Sequence, residues 1–77
     1  MSVDIKIGFV DSPRELALAS TEEREALSAR LNQALQQDSG VLELDDTSGR
    51  HYIVRTGRIA WVEVGEENPR QVGFIGR

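Results

Sequence analysis

The chain has 77 residues, enough for one small domain, and contains no cysteine, which excludes disulfide bonds and thiolate chemistry and fits a reducing cytoplasm. Its net charge of −4 argues against a general affinity for nucleic acids, while 39% apolar and 29% charged residues are ordinary for a folded protein. Because no apolar run approaches the ~18 residues of a membrane span and the N-terminus lacks a signal-peptide pattern, we expect residues 1–77 to form one soluble cytoplasmic domain.

The first part of the chain predicts two strands joined by a turn. Val3–Val10 alternates apolar and polar residues with the period of two that is typical of a half-buried strand. Asp11–Pro13 predicts the turn, because Asp and Ser accept hydrogen bonds from nearby backbone N–H groups and proline fixes its own φ. Arg14–Ala19 alternates again, and we expect it to pair with the first strand, although its Ala, Leu and Glu residues also favour helix.

One amphipathic helix follows these strands. Ser20–Glu23 predicts a capping box, with a hydroxyl at the N-cap and a glutamate three residues later. Apolar residues then recur at helical spacing at Ala26, Leu27, Leu31, Ala34 and Leu35. We expect the helix to end near Gln37, before the exit Asp38–Gly40. Its length of about 17 residues gives a rod of roughly 25 Å, which can cross one face of a small sheet.

The second half of the chain predicts further strands. Val41–Asp45 is followed by the turn-forming residues Asp46–Gly49. Arg50–Arg55 and Arg58–Val64 are rich in β-branched and aromatic residues and predict two strands joined by a turn at Thr56–Gly57. The second of these strands is apolar on both faces, which predicts a place in the middle of a sheet.

A last short strand is predicted at Arg70–Ile75, after the polar loop Glu66–Pro69. Without this last short strand the order is ββαβββ, which predicts an α+β two-layer fold with one helix packed on a mainly antiparallel sheet. The β-grasp arrangement is a candidate for this length and order.

Three phrases of the sequence resemble the domain-of-unknown-function 3107 family of small actinobacterial proteins. They are D-S-P-R-E-L at Asp11–Leu16, D-x-x-G-R at Asp46–Arg50, and I-A-W-V-E-V-G at Ile59–Gly65 followed by V-G-F at Val72–Phe74. The resemblance implies a single-domain protein of the bacterial cytoplasm. Some family members carry an ATP-binding label, but the resemblance implies no catalytic or ligand residues.

The residues themselves do not support a nucleotide or metal site. No G-x-x-x-x-G-K-[ST] motif exists, Lys6 lies within a predicted strand, and the acids of Ser20–Glu23 would repel phosphate at the strand-to-helix junction. His51 is the single histidine, so a zinc site would need carboxylates for its other ligands. The acids at positions 43–46 lack the spacing of a calcium loop. We therefore expect no cofactor and no bound metal.

Catalysis by a serine or a carboxylate is also not expected. The serines occupy predicted turns, a cap or a helix face, and no G-x-S-x-G motif is present. Glu63 shares a predicted strand face with Ile59 and Trp61, where a buried carboxylate would need an arginine partner. Such a carboxylate could be a poised acid, but we prefer a salt bridge at the edge of an apolar patch. We expect that the protein is not an enzyme.

The sequence predicts a single helix, which cannot cover both faces of the sheet, and this leads to the main functional hypothesis. Leu27, Leu31 and Leu35 can shield one face, and the other face retains an apolar patch of a few hundred Å2, the scale typical of an interface. Depending on the strand register, that patch includes Val10, Val41, Ile53 and Trp61, or their alternates Tyr52 and Val62. A monomer could also hide the patch by sheet twist, arginine stems and the last strand.

We therefore expect a sheet face to mediate homodimerisation or docking of another protein. The expected interaction residues, of types enriched at binding hot spots, are Tyr52, Ile53, Arg55, Arg58, Trp61 and Glu63. The alternative is a small binder of an anionic ligand or of nucleic acid through Arg50, Arg55, Arg58 and Trp61. Nucleic acid is the less favoured ligand, because the closely spaced aromatic residues of an RNA-binding sheet are missing.

Overall fold

The computed structural model describes residues 2–37 and 39–68, which form five strands and one α-helix. The elements are β1 (Ser2–Phe9), β2 (Ser12–Ser20), α1 (Arg24–Leu35), β3 (Val41–Asp45), β4 (His51–Arg55) and β5 (Ile59–Asn68), with a 3-10 turn (Thr56–Arg58) before β5. The strand ladders are antiparallel, so the predicted α+β fold with the order ββαβββ is confirmed. The β-grasp arrangement is not confirmed. The strand predicted at Arg70–Ile75 lies outside the described residues.

The strands form two sheets, and β1 lies in the middle of the larger one. Its order is β2-β1-β5, and Ile7 of β1 lies opposite Leu16 of β2 and Val62 of β5. Among the strands that the structure describes, β5 lies at the edge of this sheet, so the prediction that the strand beginning near Arg58 is central is wrong for that part of the chain. The apolar residue on the second face of β5, Trp61, does not need another layer, since its indole lies over Gly8 of the neighbouring strand.

The turn between β4 and β5 does not make a hairpin, which corrects the interpretation of these two strands as a joined pair. Instead β4 pairs with β3, and the chain crosses to the other sheet at the turn. The buried Thr56 fixes this crossing. Its hydroxyl donates to the carbonyl oxygen of Gln37 at 2.6 Å, and its N–H donates to the carbonyl oxygen of Gly40 at 3.0 Å. The turn is therefore anchored to the exit of the helix.

The helix has 12 residues and a length of about 18 Å, so it is shorter than predicted. The predicted capping box is wrong, because β2 extends to Ser20, which pairs with Val3. The Ser20 hydroxyl accepts a hydrogen bond from the N–H of Glu22 at 3.1 Å, and the N-cap residue Glu23 makes no side-chain cap. A hydroxyl held at the end of a strand cannot also cap a helix that begins four residues later.

The helix and both sheets share one apolar core. Its buried members are Val3, Ile5, Ile7, Leu18, Leu27, Leu31, Leu42 and Leu44. Leu35, the third residue of the predicted leucine stripe, remains 37% exposed. The two sheets are joined where Ser20 bridges Asp46 and the N–H of Thr47 donates to the carbonyl oxygen of Ala19 at 2.9 Å. No helix in the described part of the chain is long and apolar enough to cross a membrane.

Candidate interaction surface

The hairpin formed by β3 and β4 presents one face to the core and one to solvent. Alternate residues of each strand, such as Leu42, Leu44 and Val54, are buried, so the residues between them point outward. The strand register places these outward residues in three cross-strand pairs. We call them the hairpin face: Val41 and Arg55, Glu43 and Ile53, and Asp45 and His51.

The hairpin face carries two exposed aliphatic side chains. Ile53 is 64% exposed and Val41 is 54% exposed. Ile53 lies in the middle row, opposite Glu43, and Val41 lies in the end row, opposite Arg55. The two side chains are diagonal neighbours across the strands and are both in contact with water. Such a surface is stabilised when a partner covers it.

The two ends of the hairpin face carry opposite charge. Asp45 and His51 form the row at one end, next to Glu43, and Arg55 lies in the row at the other end. The end rows are four residues apart along each strand, or about 13 Å. The face is therefore acidic at one end and basic at the other, with exposed aliphatic side chains in the middle row and in the basic row.

His51 connects the two carboxylates of the acidic end. Its Nδ1 lies 2.7 Å from Oδ1 of Asp45, and its Nε2 lies 2.9 Å from Oε1 of Glu43. A neutral imidazole has one N–H and can donate to only one of these oxygens, whereas the imidazolium donates to both. The hydrogen bond with Asp45, and next the one with Glu43, raises the pKa of His51 above its ordinary value. The geometry therefore fits the protonated ring, and the cluster then carries a net charge of −1.

The Asp46 carboxylate belongs to the turn of the hairpin. Its Oδ1 accepts hydrogen bonds from the Ser48 hydroxyl at 2.7 Å and from the Ser48 N–H at 2.6 Å, and these bonds lower the pKa of Asp46. Gly49 has a φ of 91°, which only glycine adopts without strain. In the residues that the structure describes, no group of three or more His, Cys, Asp and Glu side chains could hold a metal ion.

The structure does not bring all six predicted interaction residues together. Ile53 and Arg55 lie on the hairpin face, but the neighbouring Tyr52 points to the core and is half-buried. Trp61 and Glu63 lie on the outer face of the three-stranded sheet, where Trp61 is 42% exposed. Glu63 is exposed opposite Lys6, so it is not a buried carboxylate.

Arg58, the remaining predicted interaction residue, lies in the turn before β5 and forms an ion pair with Asp11. It lines a surface depression together with Arg55. Arg50, which the anion-binding alternative also used, precedes β4 and so lies at the opposite end of that strand from Arg55. The structure thus brings two of the three arginines to one place.

From the sequence alone, the charged members of the hairpin face other than Arg55 were not placed on an exposed surface with Ile53. Glu43, Asp45 and His51 were considered only as metal ligands, and Val41 only as a member of a patch that depended on register. The predicted turn could have given their positions. A hairpin centred on Ser48 places Asp45 opposite His51 and Glu43 opposite Ile53, as observed.

In residues 2–37 and 39–68 the fold defines a small α+β protein with one helix, two antiparallel sheets and an outer hairpin face whose side chains are exposed. The chain belongs to the family described as "Protein of unknown function (DUF3107)", whose model matches residues 3–75. This match spans nearly the whole chain and confirms the resemblance that the three sequence phrases carry. No curated protein matches the chain.

Proposed function

We propose that the protein is a non-catalytic interaction module of the cytoplasm that associates with a second copy of itself through the hairpin face. The observation that supports this proposal is the order of charge on the face. A two-fold rotation that reverses the strand direction places the basic end of one copy against the acidic end of the other. The same rotation places the middle rows, which carry Ile53, against each other.

A second copy fits this face because the pattern is self-complementary. In an isologous dimer each contact occurs twice, so the row of Arg55 in each copy lies against the row of Asp45 and His51 in the other copy, next to Glu43. Opposite charges at the two ends favour this orientation and disfavour the parallel one, in which like charges would meet. Ile53 and Val41 then lose contact with water, which supplies the non-directional part of the association free energy.

The small size of the face sets the expected strength. Each strand has five residues, about 16 Å, so the buried area is below the standard size of a stable protein interface. We expect a reversible dimer with a dissociation constant in the micromolar range or weaker. Its population will depend on protein concentration.

The proposal includes the absence of catalysis, which is supported by the contacts of His51 and of two serines. Both ring nitrogens of His51 are occupied by carboxylates, so the ring is not aimed at a nucleophile. The Ser12 and Ser20 hydroxyls accept hydrogen bonds from backbone N–H groups two residues later. These are turn interactions that serve local structure.

Sedimentation velocity over a concentration series tests the self-association. We expect the weight-average sedimentation coefficient of the wild type to rise with concentration and that of Val41→Glu to stay at the monomer value, because the new carboxylate lies opposite Arg55 and neutralises the basic end of the face. Val10→Glu is the matched control: Val10 is 55% exposed, against 54% for Val41, and lies between β1 and β2, outside the hairpin face. The control should behave as the wild type. A wild type that stays monomeric at every concentration, or a Val10→Glu variant that dissociates as Val41→Glu does, would contradict the proposal.

A further inference from the structure

A depression with a volume of about 310 Å3 opens beside the 3-10 turn. It is lined by Ser39, Gly40, Arg55, Gly57 and Arg58. The lining residues are two arginines, one exposed serine and two glycines, which add no side chains to the wall. Only Arg55 of these residues belongs to the hairpin face.

The backbone around the depression is held in place before any ligand arrives. The N–H of Gly40 donates to the Thr56 hydroxyl oxygen at 3.2 Å, and the N–H of Thr56 donates to the carbonyl oxygen of Gly40 at 3.0 Å. On the other side, the N–H of Val10 donates to the carbonyl oxygen of Arg58 at 2.9 Å. These bonds tie the start of β3, the turn and the end of β1 to one another. A preorganised wall reduces the ordering entropy lost on binding.

The two arginines differ in how far their charge is compensated. Arg55 makes no ion pair and no side-chain hydrogen bond with any other described residue. Arg58 is paired with Asp11, and both side chains are mostly exposed, so this pair is weak. Arg55 therefore has no ion-pair partner among the described residues, and an incoming anion can draw Arg58 away from Asp11.

We propose that this depression binds the phosphate group of a small phosphorylated molecule. A guanidinium donates two parallel hydrogen bonds to a phosphate, and two guanidiniums with a serine hydroxyl can contact several of its oxygens at once. The volume lies at the lower end of the range for small-molecule pockets. A polynucleotide is disfavoured as ligand, because the chain has a net charge of −4 and only two cationic side chains line the site.

The site is independent of self-association, although Arg55 takes part in both. Arg58 and Ser39 lie outside the hairpin face, and an Ile53→Gln variant keeps every residue of the depression and adds no charge beside Arg55, whereas Val41→Glu would place a carboxylate opposite Arg55. Phosphate binding is therefore measured in the Ile53→Gln protein, in which the polar side chain in the middle row of the face is expected to prevent self-association. Saturable binding there supports the site whatever the sedimentation experiment shows, and its absence leaves the dimer proposal intact.

The test is a titration with inorganic phosphate, followed by backbone amide shifts at constant ionic strength. We expect saturable shifts at Gly40 and Gly57, with a dissociation constant in the millimolar range. Arg58→Gln should weaken binding by about fivefold or more, because it removes charge-assisted hydrogen bonds. Asp11→Asn should tighten binding by about threefold, because it releases Arg58 from its ion pair.

The control is Arg50→Gln, which removes the same charge from an exposed position next to the other end of β4 and should leave the affinity within about twofold of the parent value. Shifts that do not saturate, equal weakening by Arg50→Gln and Arg58→Gln, or weaker binding by Asp11→Asn would overturn the proposal. Tighter binding of a single-stranded oligothymidylate than of phosphate would also overturn it, because the ligand would then be a nucleic acid.

Discussion

His51 shows how one side chain can report the electrostatics of the hairpin face. It is exposed, yet both ring nitrogens lie within hydrogen-bond distance of carboxylate oxygens. Protonation of the ring converts two repelling acids into a connected cluster. The state of this residue therefore sets the charge of the acidic end at −1 or −2.

A titration of the His51 ring by NMR should give a pKa above its ordinary value of about 6.5. Asp45→Asn should lower the pKa more than Glu43→Gln does, because the hydrogen bond with Asp45 is the larger cause of the shift. A pKa in the wild type at or below the ordinary value would contradict the hydrogen-bonded geometry.

The same shift predicts the pH dependence of stability. A group whose pKa is raised on folding contributes stability that is fully present below the unfolded pKa and is lost as pH rises through the folded pKa. The difference in free energy of unfolding between the wild type and His51→Gln should therefore be largest below about pH 6.5 and should shrink at higher pH. Denaturant titrations of both proteins across this range measure it.

At the scale of elements, a glycine of β1 packs against an aromatic side chain of β5. Gly8 and Trp61 lie opposite each other in the register, and a Cβ added at Gly8 would overlap the indole ring. Glycine in a strand marks such a close approach. The packed indole also explains why Gly8 is buried on the outer face of an otherwise open sheet.

Gly8→Ala should lower the free energy of unfolding by about 1–3 kcal/mol, because the indole must leave its packed position. In a Trp61→Ala background the same change should have little effect, and a double-mutant cycle measures this coupling. Gly40→Ala is the control, since a Cβ there would meet nothing closer than 3.9 Å. Equal losses for Gly8→Ala with and without Trp61 would show that the ring does not fill that space.

At the scale of the whole molecule, the proposed dimer depends on the reversed orientation of two copies. A parallel arrangement would bring the two acidic ends together, and a partner of another kind would not require the charges of the face to match one another. The orientation can therefore be tested with the charges alone.

Arg55→Glu and Glu43→Arg should each weaken self-association, because like charges then meet at both ends of the dimer. An equimolar mixture of the two variants should regain association, because every end pair becomes attractive in the mixed dimer. Sedimentation of each variant and of the mixture measures the outcome. Failure of the mixture to associate more strongly than either variant would refute the two-fold arrangement of the hairpin face.

The local patterns of the sequence were sufficient for the elements. Period-two alternation predicted β1 and β3, and helical spacing predicted the burial of Leu27 and Leu31. These patterns are reliable because the period of two and the period of 3.6 follow from local backbone geometry. The loss of the capping box at Ser20 shows the limit, because a tertiary strand pairing overrode a local helix signal.

The sequence by itself determined the α+β class, the element order and the turn at Asp46–Gly49, but it left open whether Ile53 or Tyr52 points outward. Only the tertiary structure decided that β1 rather than β5 is central, that β4 and β5 separate, and that His51 joins two carboxylates beside the aliphatic pair. The physical reason is how far apart in the chain the interacting residues lie. Alternation within a strand depends on neighbouring residues, whereas the choice of partner strand depends on contacts between residues far apart in the chain, which no local pattern encodes.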